Sequence, residues 1–229
     1  ALKNWMNFAS AEADIQDRVF LVGPNASGKS NFLDAFRFLR DLARTGGGFQ
    51  EAVRLRGGVT AIRCLAARRQ PDVSISVTLE DGARTWVYEL SFHQDSQRRP
   101  LVRTERVRRG GETLRDRPEQ EDEADPAQLT QTYLEQVNVN AAFRELATFF
   151  TSISYLHIVP QLIRDPERSV GRPNDPFGGD LLEQIARTPE RTRKKRLRSI
   201  QEALRDAVPQ LDDIELTHDL RGRPHLRGR

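Results

Sequence analysis

The sequence predicts an α/β fold with an antiparallel β lobe inserted into it. A short apolar run, DRVFLV at 17–22, leads into a glycine-rich loop and then into a helical pattern. Alternating apolar residues later mark a strand pair, and a second apolar run, SISYLHIVP, follows at 152–160. We therefore expect a strand–loop–helix part at 1–49 and the β lobe at 50–126. Residues 127–229 should complete the same framework with a helical segment, a strand, a basic helix and a terminal hairpin.

The first helix is predicted from apolar spacing after the glycine-rich loop. From Ser30 onward, apolar residues recur at steps of three and four, namely Phe32, Leu33, Phe36, Leu39 and Leu42. The run Gly46-Gly47-Gly48 should end this helix. The preceding run at 17–22 has the β-branched and aromatic content of a buried strand.

The β lobe is predicted from alternation around turn residues. The stretch VSISVTL places Val73, Ile75, Val77 and Leu79 on one face, and Asp81-Gly82 supplies a hairpin turn. The returning strand places Trp86, Tyr88, Leu90 and Phe92 on one face. The three aromatic rings could stack on nucleic-acid bases, but their spacing opposite an apolar strand predicts core residues of the lobe. A second hairpin should turn at Gly110-Gly111.

The last part of the chain is predicted more coarsely. Residues 127–150 read as a helix, 152–160 as a strand, and 164–180 as a loop rich in Pro and Gly. Thr188-Pro189-Glu190 opens a further helix, and the chain closes with a hairpin that turns near Gly222.

Composition excludes several classes of protein. With 229 residues, 37% hydrophobic and 30% charged, the chain can bury a core and is not of disordered type. No apolar run approaches membrane-span length, and one cysteine and four histidines give neither a disulfide framework nor zinc-ligand spacing. We expect a cytoplasmic protein without a membrane partner. The net charge of +3 is modest, and only four of its 36 basic residues are Lys.

The glycine-rich loop carries the clearest chemistry. Gly23, Gly28, Lys29 and Ser30 fit the phosphate-loop pattern G-x-x-x-x-G-K-[ST] in full. Its glycines let successive backbone N–H groups face phosphate oxygens, its Lys reaches the β- and γ-phosphates, and its Ser hydroxyl holds Mg²⁺. A chance match in a surface turn is the alternative, but the predicted strand–loop–helix context favours a P-loop NTPase that binds ATP and Mg²⁺. The predicted nucleotide-binding residues are Gly23, Pro24, Asn25, Ala26, Ser27, Gly28, Lys29, Ser30 and Asn31, with Lys29 also catalytic and Ser30 a metal ligand.

The amino-acid sequence around this loop resembles that of a known family. GPNASGKSNFLDAFRFL resembles the SMC/RecF-like branch of the ABC-type ATPases, and LKNWMNF at 2–8 resembles that family's opening strand. Ala26 departs from the usual Gly, a change found in an overcoming-lysogenization-like subgroup of AAA-type ATPases. Met6 stands where a basic residue is common, so no phosphate contact is assigned to it. The residues that carry the loop resemblance are Asn25, Ser30, Leu33, Asp34 and Ala35.

The resemblance implies a second site residue. In that family a glutamine after a later strand, the Q-loop, senses Mg²⁺ and the attacking water. Gln161 follows the predicted strand at 152–160 and is the candidate for this catalytic and metal-binding role. An ordinary loop glutamine is the alternative.

Two motifs that hydrolysis requires are not found in the sequence. An acidic pair after four apolar residues should complete the Mg²⁺ site, and a Ser-Gly-Gly-like signature should clamp the γ-phosphate of a facing subunit. The nearest acidic run, QLDDIEL at 210–216, lacks the apolar strand before it. The resemblance therefore implies the N-terminal half of an ABC-type ATPase head. A partner chain or a following half would supply the remaining motifs, and in a homodimer of completed heads each would supply the other's signature.

A basic cluster, RTPERTRKKRLRS at 187–199, has two interpretations. Arg191, Lys194, Lys195 and Arg198 lie along one side of the predicted helix and could contact DNA phosphates. A solvated helix face is the alternative. Three functions stay open: a DNA-associated ATPase of repair or phage defence, a non-hydrolysing switch that regulates an effector such as a nuclease, and a small-molecule kinase. The kinase requires an Arg-bearing lid that the sequence does not show.

Overall fold

A computed structural model describes residues 1–66, 71–82, 84–164, 175 and 177–229. The chain forms two compact units, Ala1–Ser154 and Tyr155–Arg229. Within the described residues, no helix is both long and apolar enough to cross a membrane.

The first unit is built on one antiparallel sheet with the strand order β2-β1-β3-β4-β5-β6. Its strands are β1 (Leu2–Trp5), β2 (Phe8–Ala11), β3 (Val73–Asp81), β4 (Arg84–Gln94), β5 (Pro100–Arg109) and β6 (Glu112–Arg117). The opening hairpin therefore joins the predicted lobe in a single sheet, because β1 pairs with β3.

Both predicted hairpins of the lobe are confirmed. Strand β3 pairs with β4 along its whole length, from Asp81↔Arg84 to Val73↔Phe92, and β5 and β6 flank the turn at Gly110-Gly111. The four predicted face residues of β4, from Trp86 to Phe92, are all buried. They belong to the core, as the alternation predicted.

Helices of the first unit cover this sheet. They are α1 (Lys29–Ala43), α2 (Phe49–Arg54), α3 (Val59–Ile62), α4 (Gln120–Ala124) and α5 (Arg144–Ser152), with 3-10 turns at Pro126–Thr130 and Asn140–Phe143. Helix α1 buries Phe38, which stacks on Phe92 of β4 at 5.5 Å and meets the Trp5 ring edge-on at 5.3 Å. The predicted first helix is thus confirmed, and aromatic packing attaches it to the sheet.

Two predictions in the first unit are wrong. Residues 17–22 form no strand, and their apolar side chains lie in solvent, with Phe20 79% and Val22 92% exposed. The helix predicted at 127–150 is present only as α5 at its end. Side-chain hydrogen bonds replace helical ones before it: Glu135 accepts from the N–H groups of Phe49 and Thr132, and Asn140 donates to the carbonyl of Leu134.

The second unit contains α6 (Pro160–Arg164), α7 (Leu181–Arg187), α8 (Glu190–Leu204), β7 (Ile214–His218) and β8 (Pro224–Gly228). The predicted basic helix and the terminal hairpin turning near Gly222 are confirmed. The strand predicted at 152–160 is wrong, since residues 153–159 are irregular and Leu156 is 68% exposed. Most of the loop predicted at 164–180 lies outside the described residues, and the sequence did not indicate α7.

Candidate functional site

The phosphate-loop motif lies at the N-terminus of α1. Gly28 is the residue before the helix and adopts φ +100°, a left-handed conformation that favours glycine. A Cβ added at Gly28 would clash with the Asn7 side-chain amide and lie 2.7 Å from Phe8 Cζ. Only glycine therefore fits here, both for its backbone angle and for the space that the hairpin leaves.

Lys29 folds back into the loop that precedes it. Its Nζ donates to the carbonyl oxygens of Gly23 at 2.8 Å and of Pro24 at 2.7 Å. The ammonium group is thus held beside the loop backbone, within reach of a phosphate placed there. This is the position that the motif requires of its lysine.

The start of α1 is suited to an anion. The helix has no side-chain cap at Gly28 and no acidic residue in its first turn. The first N–H groups of a helix lack intrahelical acceptors and carry partial positive charge, so a phosphate can take the place of a cap. Together with Lys29, these donors form an electropositive cradle, and the residues present fit a nucleotide phosphate.

Ala26 adopts an unusual conformation within the loop. Its φ of +63° lies in the left-handed region, where a Cβ costs about 1–2 kcal/mol. The Ser27 N–H donates to the carbonyl of Pro24 at 3.3 Å, which closes a turn around Ala26. The position thus has the geometry of a glycine, which is the residue usual there in the family that the sequence resembles.

Three side chains support the loop through contacts that the sequence does not predict. Trp5 Nε1 donates to the Asn31 carbonyl at 2.8 Å, Asn31 Nδ2 donates to Asn7 Oδ1 at 3.0 Å, and Asn7 Nδ2 donates to the Ser27 carbonyl at 3.5 Å. Asn31 was predicted as a binding residue, but its structural partner lies 24 positions earlier in the chain. In the sequence, the signal for this hairpin is the motif LKNWMNF, which predicts a strand but no contact with the phosphate loop.

The two predicted metal ligands lie in different units. Ser30 is an exposed residue in the first turn of α1, whereas Gln161 is an exposed residue of α6 in the second unit. In the described part of the chain, no group of three or more His, Cys, Asp or Glu side chains is arranged to hold a metal ion. Mg²⁺ that arrives on nucleotide phosphates needs few protein ligands, and Ser30 suits that chemistry. The role of Gln161 stays a prediction.

A buried carboxylate lies elsewhere in the first unit. Glu105 of β5 is fully buried, and loss of hydration raises its pKa to about 7. Its oxygens accept from the Tyr88 hydroxyl at 3.0 Å and the Tyr133 N–H at 2.8 Å, and Arg117 lies 3.8 Å away. All four residues are buried, so this cluster belongs to the core of the first unit.

Comparison with known proteins places the chain in a family. The model of the family described as "AAA domain, putative AbiEii toxin, Type IV TA system" matches residues 18–221. The chain belongs to this AAA family. Membership supports a P-loop ATPase domain of α/β class that uses ATP, typically with Mg²⁺. No curated protein matches the chain.

Proposed function

We propose that this AAA-family chain is the ATP-binding head of a DNA-associated ATPase of SMC/RecF-like type that acts in phage defence or DNA repair in the cytoplasm. Hydrolysis would require the acidic and signature motifs from a following half or a partner chain, and in a homodimer of such completed heads each would supply the other's signature. A toxin is part of the family's own description, which fits a defence role. ATP binding is the core of the proposal, and the other parts extend it.

The observation that carries the proposal is the loop around Lys29. Its ammonium group lies against the Gly23 and Pro24 carbonyls, at a helix start that has neither a side-chain cap nor an acidic residue in its first turn. When ATP binds, Lys29 would exchange these carbonyls for β- and γ-phosphate oxygens, and the first N–H groups of α1 would donate to them.

Nucleotide titration tests this site. Lys29→Ala should weaken binding of a fluorescent ATP analogue with Mg²⁺ by at least about tenfold, because a charged hydrogen-bond donor to phosphate is removed. Lys3→Ala is the matched control, since Lys3 is an exposed lysine on the neighbouring strand β1. Equal binding by wild type and Lys29→Ala would refute the proposed site.

A charge comparison supports DNA as the partner. Helix α8 buries Leu197, and Arg191, Lys195 and Arg198 lie on its opposite, exposed side at steps of four and three residues. Among the described residues, these three cations have no ion-pair partner, whereas Lys194 is paired with Glu190 at 2.7 Å. A row of exposed cations suits a line of phosphates.

The arginines of β5 provide the contrast. Arg106 pairs with Asp116 at 2.9 Å, Arg108 with Glu89 at 3.4 Å and Arg109 with Glu112 at 3.6 Å. Their charges are largely compensated by neighbours in the sheet. An Arg-rich strand of this kind is therefore a poor phosphate surface despite its composition.

DNA binding at several salt concentrations separates the two surfaces. Replacing Arg191, Lys195 and Arg198 by Gln should weaken binding to a short duplex and flatten the slope of log K against log salt by roughly 0.9 for each phosphate that the variant no longer neutralises. The matched control replaces Arg106, Arg108 and Arg109 by Gln and should leave the slope near wild type. If the control has the larger effect, or the wild type binds no DNA, the DNA-associated part of the proposal fails.

A non-hydrolysing nucleotide switch is the second candidate function. It uses the same phosphate loop around Lys29 and needs neither of the two further motifs that hydrolysis requires. DNA-stimulated ATP turnover that is abolished in Lys29→Ala would favour the ATPase. Tight ATP binding without turnover, even in the presence of DNA and of the native partner, would favour a switch that controls an effector such as a nuclease.

A further inference from the structure

The turn of the β1–β2 hairpin lies directly against the phosphate loop. Asn7, at the tip of the turn, shares a hydrogen bond of 3.0 Å with the side chain of Asn31 and reaches the Ser27 carbonyl at 3.5 Å. Trp5, fully buried at the end of β1, donates to the Asn31 carbonyl at 2.8 Å. The hairpin thus contacts the chain on both sides of Lys29.

These contacts are not needed to form either element. Helix α1 has its own backbone bonds, beginning with the Phe32 N–H to the Gly28 carbonyl at 2.8 Å, and β1 and β2 pair through their backbones. The amide contacts instead connect residues that are 20 and 24 positions apart in the chain. Their effect is to fix where the loop backbone lies relative to the sheet.

We propose that Asn7 and Asn31 are positioning residues that hold the phosphate loop in its binding conformation. The proposal rests on the ATP-binding function proposed above. A phosphate cradle works through several backbone N–H groups that must point inward together, and a loop that is already ordered loses less entropy on binding. Asn7 supplies this order from outside the loop.

The Asn7 amide and the Asn31 amide nitrogen are already engaged with protein groups. Asn7 uses its oxygen to accept from Asn31 and its nitrogen to donate toward Ser27. The position of Gly28 under the Asn7 amide, with no room for a Cβ, shows how closely the turn covers the loop. The effect on phosphates is therefore indirect and should not depend on which base the nucleotide carries.

The experiment is a double-mutant cycle on the full 229-residue chain. Affinities for ATP and for inorganic tripolyphosphate, each with Mg²⁺, are measured for wild type, Asn7→Ala, Asn31→Ala and the double variant. Each single change should weaken both ligands by about threefold to tenfold, the range expected when one hydrogen bond is removed. The double variant should bind little more weakly than the weaker-binding single variant, because the two residues share one contact.

Stability measurements distinguish a positioning role of Asn7 from a general role in packing. Asn7 is exposed, so the denaturant midpoint of nucleotide-free Asn7→Ala should stay near that of wild type. Ser10→Ala, at an exposed site on β2 of the same hairpin, is the control and should change neither affinity nor midpoint.

Three results would overturn the proposal. Affinity losses that simply add in the double variant would deny the shared contact, and losses seen with ATP but not with tripolyphosphate would make Asn7 a ligand of the nucleoside. A midpoint that falls in proportion to affinity would mean ordinary structural damage. If both asparagine variants bind ATP as tightly as wild type while Lys29→Ala binds it weakly, only the positioning role is refuted. If the wild type binds neither ATP nor tripolyphosphate, the proposed function is refuted as well.

Discussion

The phosphate loop joins two segments that both contain apolar residues but differ in burial. On its C-terminal side, α1 buries Phe38, Leu39 and Leu42 against the sheet. On its N-terminal side, residues 18–22 are exposed, and within the described chain they make no backbone hydrogen bond. The apolar residues of α1 thus pack in the core, whereas those of residues 18–22 are exposed to solvent.

The difference lies in where each segment finds its hydrogen-bond partners. A helix satisfies its backbone internally, and α1 needs the sheet only to bury one face. A strand must receive its partners from neighbouring strands. Val19 to Val22 are four consecutive apolar residues, and among the described residues no strand pairs with them. The predictions below test this contrast, in order of decreasing effect.

Truncating one phenylalanine on each side of the loop tests the contrast directly. Phe38→Ala should lower the free energy of unfolding by about 3–5 kcal/mol, because it empties a buried site between Trp5 and Phe92. Phe20→Ala should change it by less than about 0.5 kcal/mol, since its ring is 79% exposed. Chemical denaturation of both variants measures the difference. Comparable effects would show that residues 18–22 are packed in solution.

A buried arginine contacts the same face of α1 as the aromatic packing, with its guanidinium 5.0 Å from the centre of the Phe38 ring. Arg56, with a 6% exposed side chain, binds both carboxylate oxygens of Asp34, at 2.6 and 3.1 Å, and lies 3.2 Å from Asp41. Arg56→Ala should cost about 3 kcal/mol of unfolding free energy, because it leaves the shielded Asp34 without its main partner and Asp41 with Arg40 as its remaining close one.

Arg54→Ala is the matched control for Arg56. Arg54 lies on the exposed side of α2, and its ion-pair partner among the described residues is Glu51. Its removal should leave the unfolding curve unchanged. If Arg56→Ala behaved like Arg54→Ala, the attachment of α1 would rest on aromatic packing alone.

Sequence patterns predicted the elements whose partners are adjacent in the chain. The β3–β4 hairpin, α1, α8 and the terminal hairpin all follow from local periodicity and turn residues. Residues 17–22 have a strand pattern, but the pattern does not say where neighbouring strands are. The helix predicted at 127–150 was displaced by long-range bonds such as Glu135 to the Phe49 N–H, which no local pattern reveals.

In the candidate site, too, the local motif was predictable from the sequence and the long-range contacts were not. The motif predicted the loop and Lys29, because phosphate binding imposes a fixed spacing on glycine, lysine and serine. The contacts of Asn7 were missed because a lone asparagine in a turn has many potential partners, and its partner Asn31 lies on a different element. The strain at Ala26 was indicated only by a departure from a family pattern.

Acidity should strengthen the sheet on which α1 packs. The pKa of Glu105 rises from 4.5 to about 7 on folding, so the native state binds more protons than the unfolded state between these values. The free energy of unfolding should therefore fall by about 2–3 kcal/mol as the pH rises from 4.5 to 7, and then level off. Denaturation at a series of pH values measures this slope. Burial also raises the pKa of Glu135, which acts in the same direction.

Glu105→Gln checks the origin of that slope. The amide imitates the protonated acid, and the Tyr88 hydroxyl can rotate to accept its N–H. Most of the pH dependence between 4.5 and 7 should disappear, while Glu112→Gln, on the exposed end of β6, should leave it intact. A slope that survives Glu105→Gln would place the titrating group elsewhere.

The smallest expected effect is in the loop itself, between the packed and the unpacked side. Ala26→Gly should raise the free energy of unfolding by about 0.5 kcal/mol, since relief of the left-handed strain at φ +63° slightly exceeds the backbone entropy that glycine loses. Ala26→Val should act in the opposite direction, because a β-branched side chain tolerates this φ worse than alanine does. Denaturant midpoints of the nucleotide-free variants give the sign. The same order for Gly, Ala and Val in ATP affinity would show that binding uses the loop conformation already present in the free protein, whereas glycine binding more weakly than alanine would mean that the loop changes shape around the phosphates.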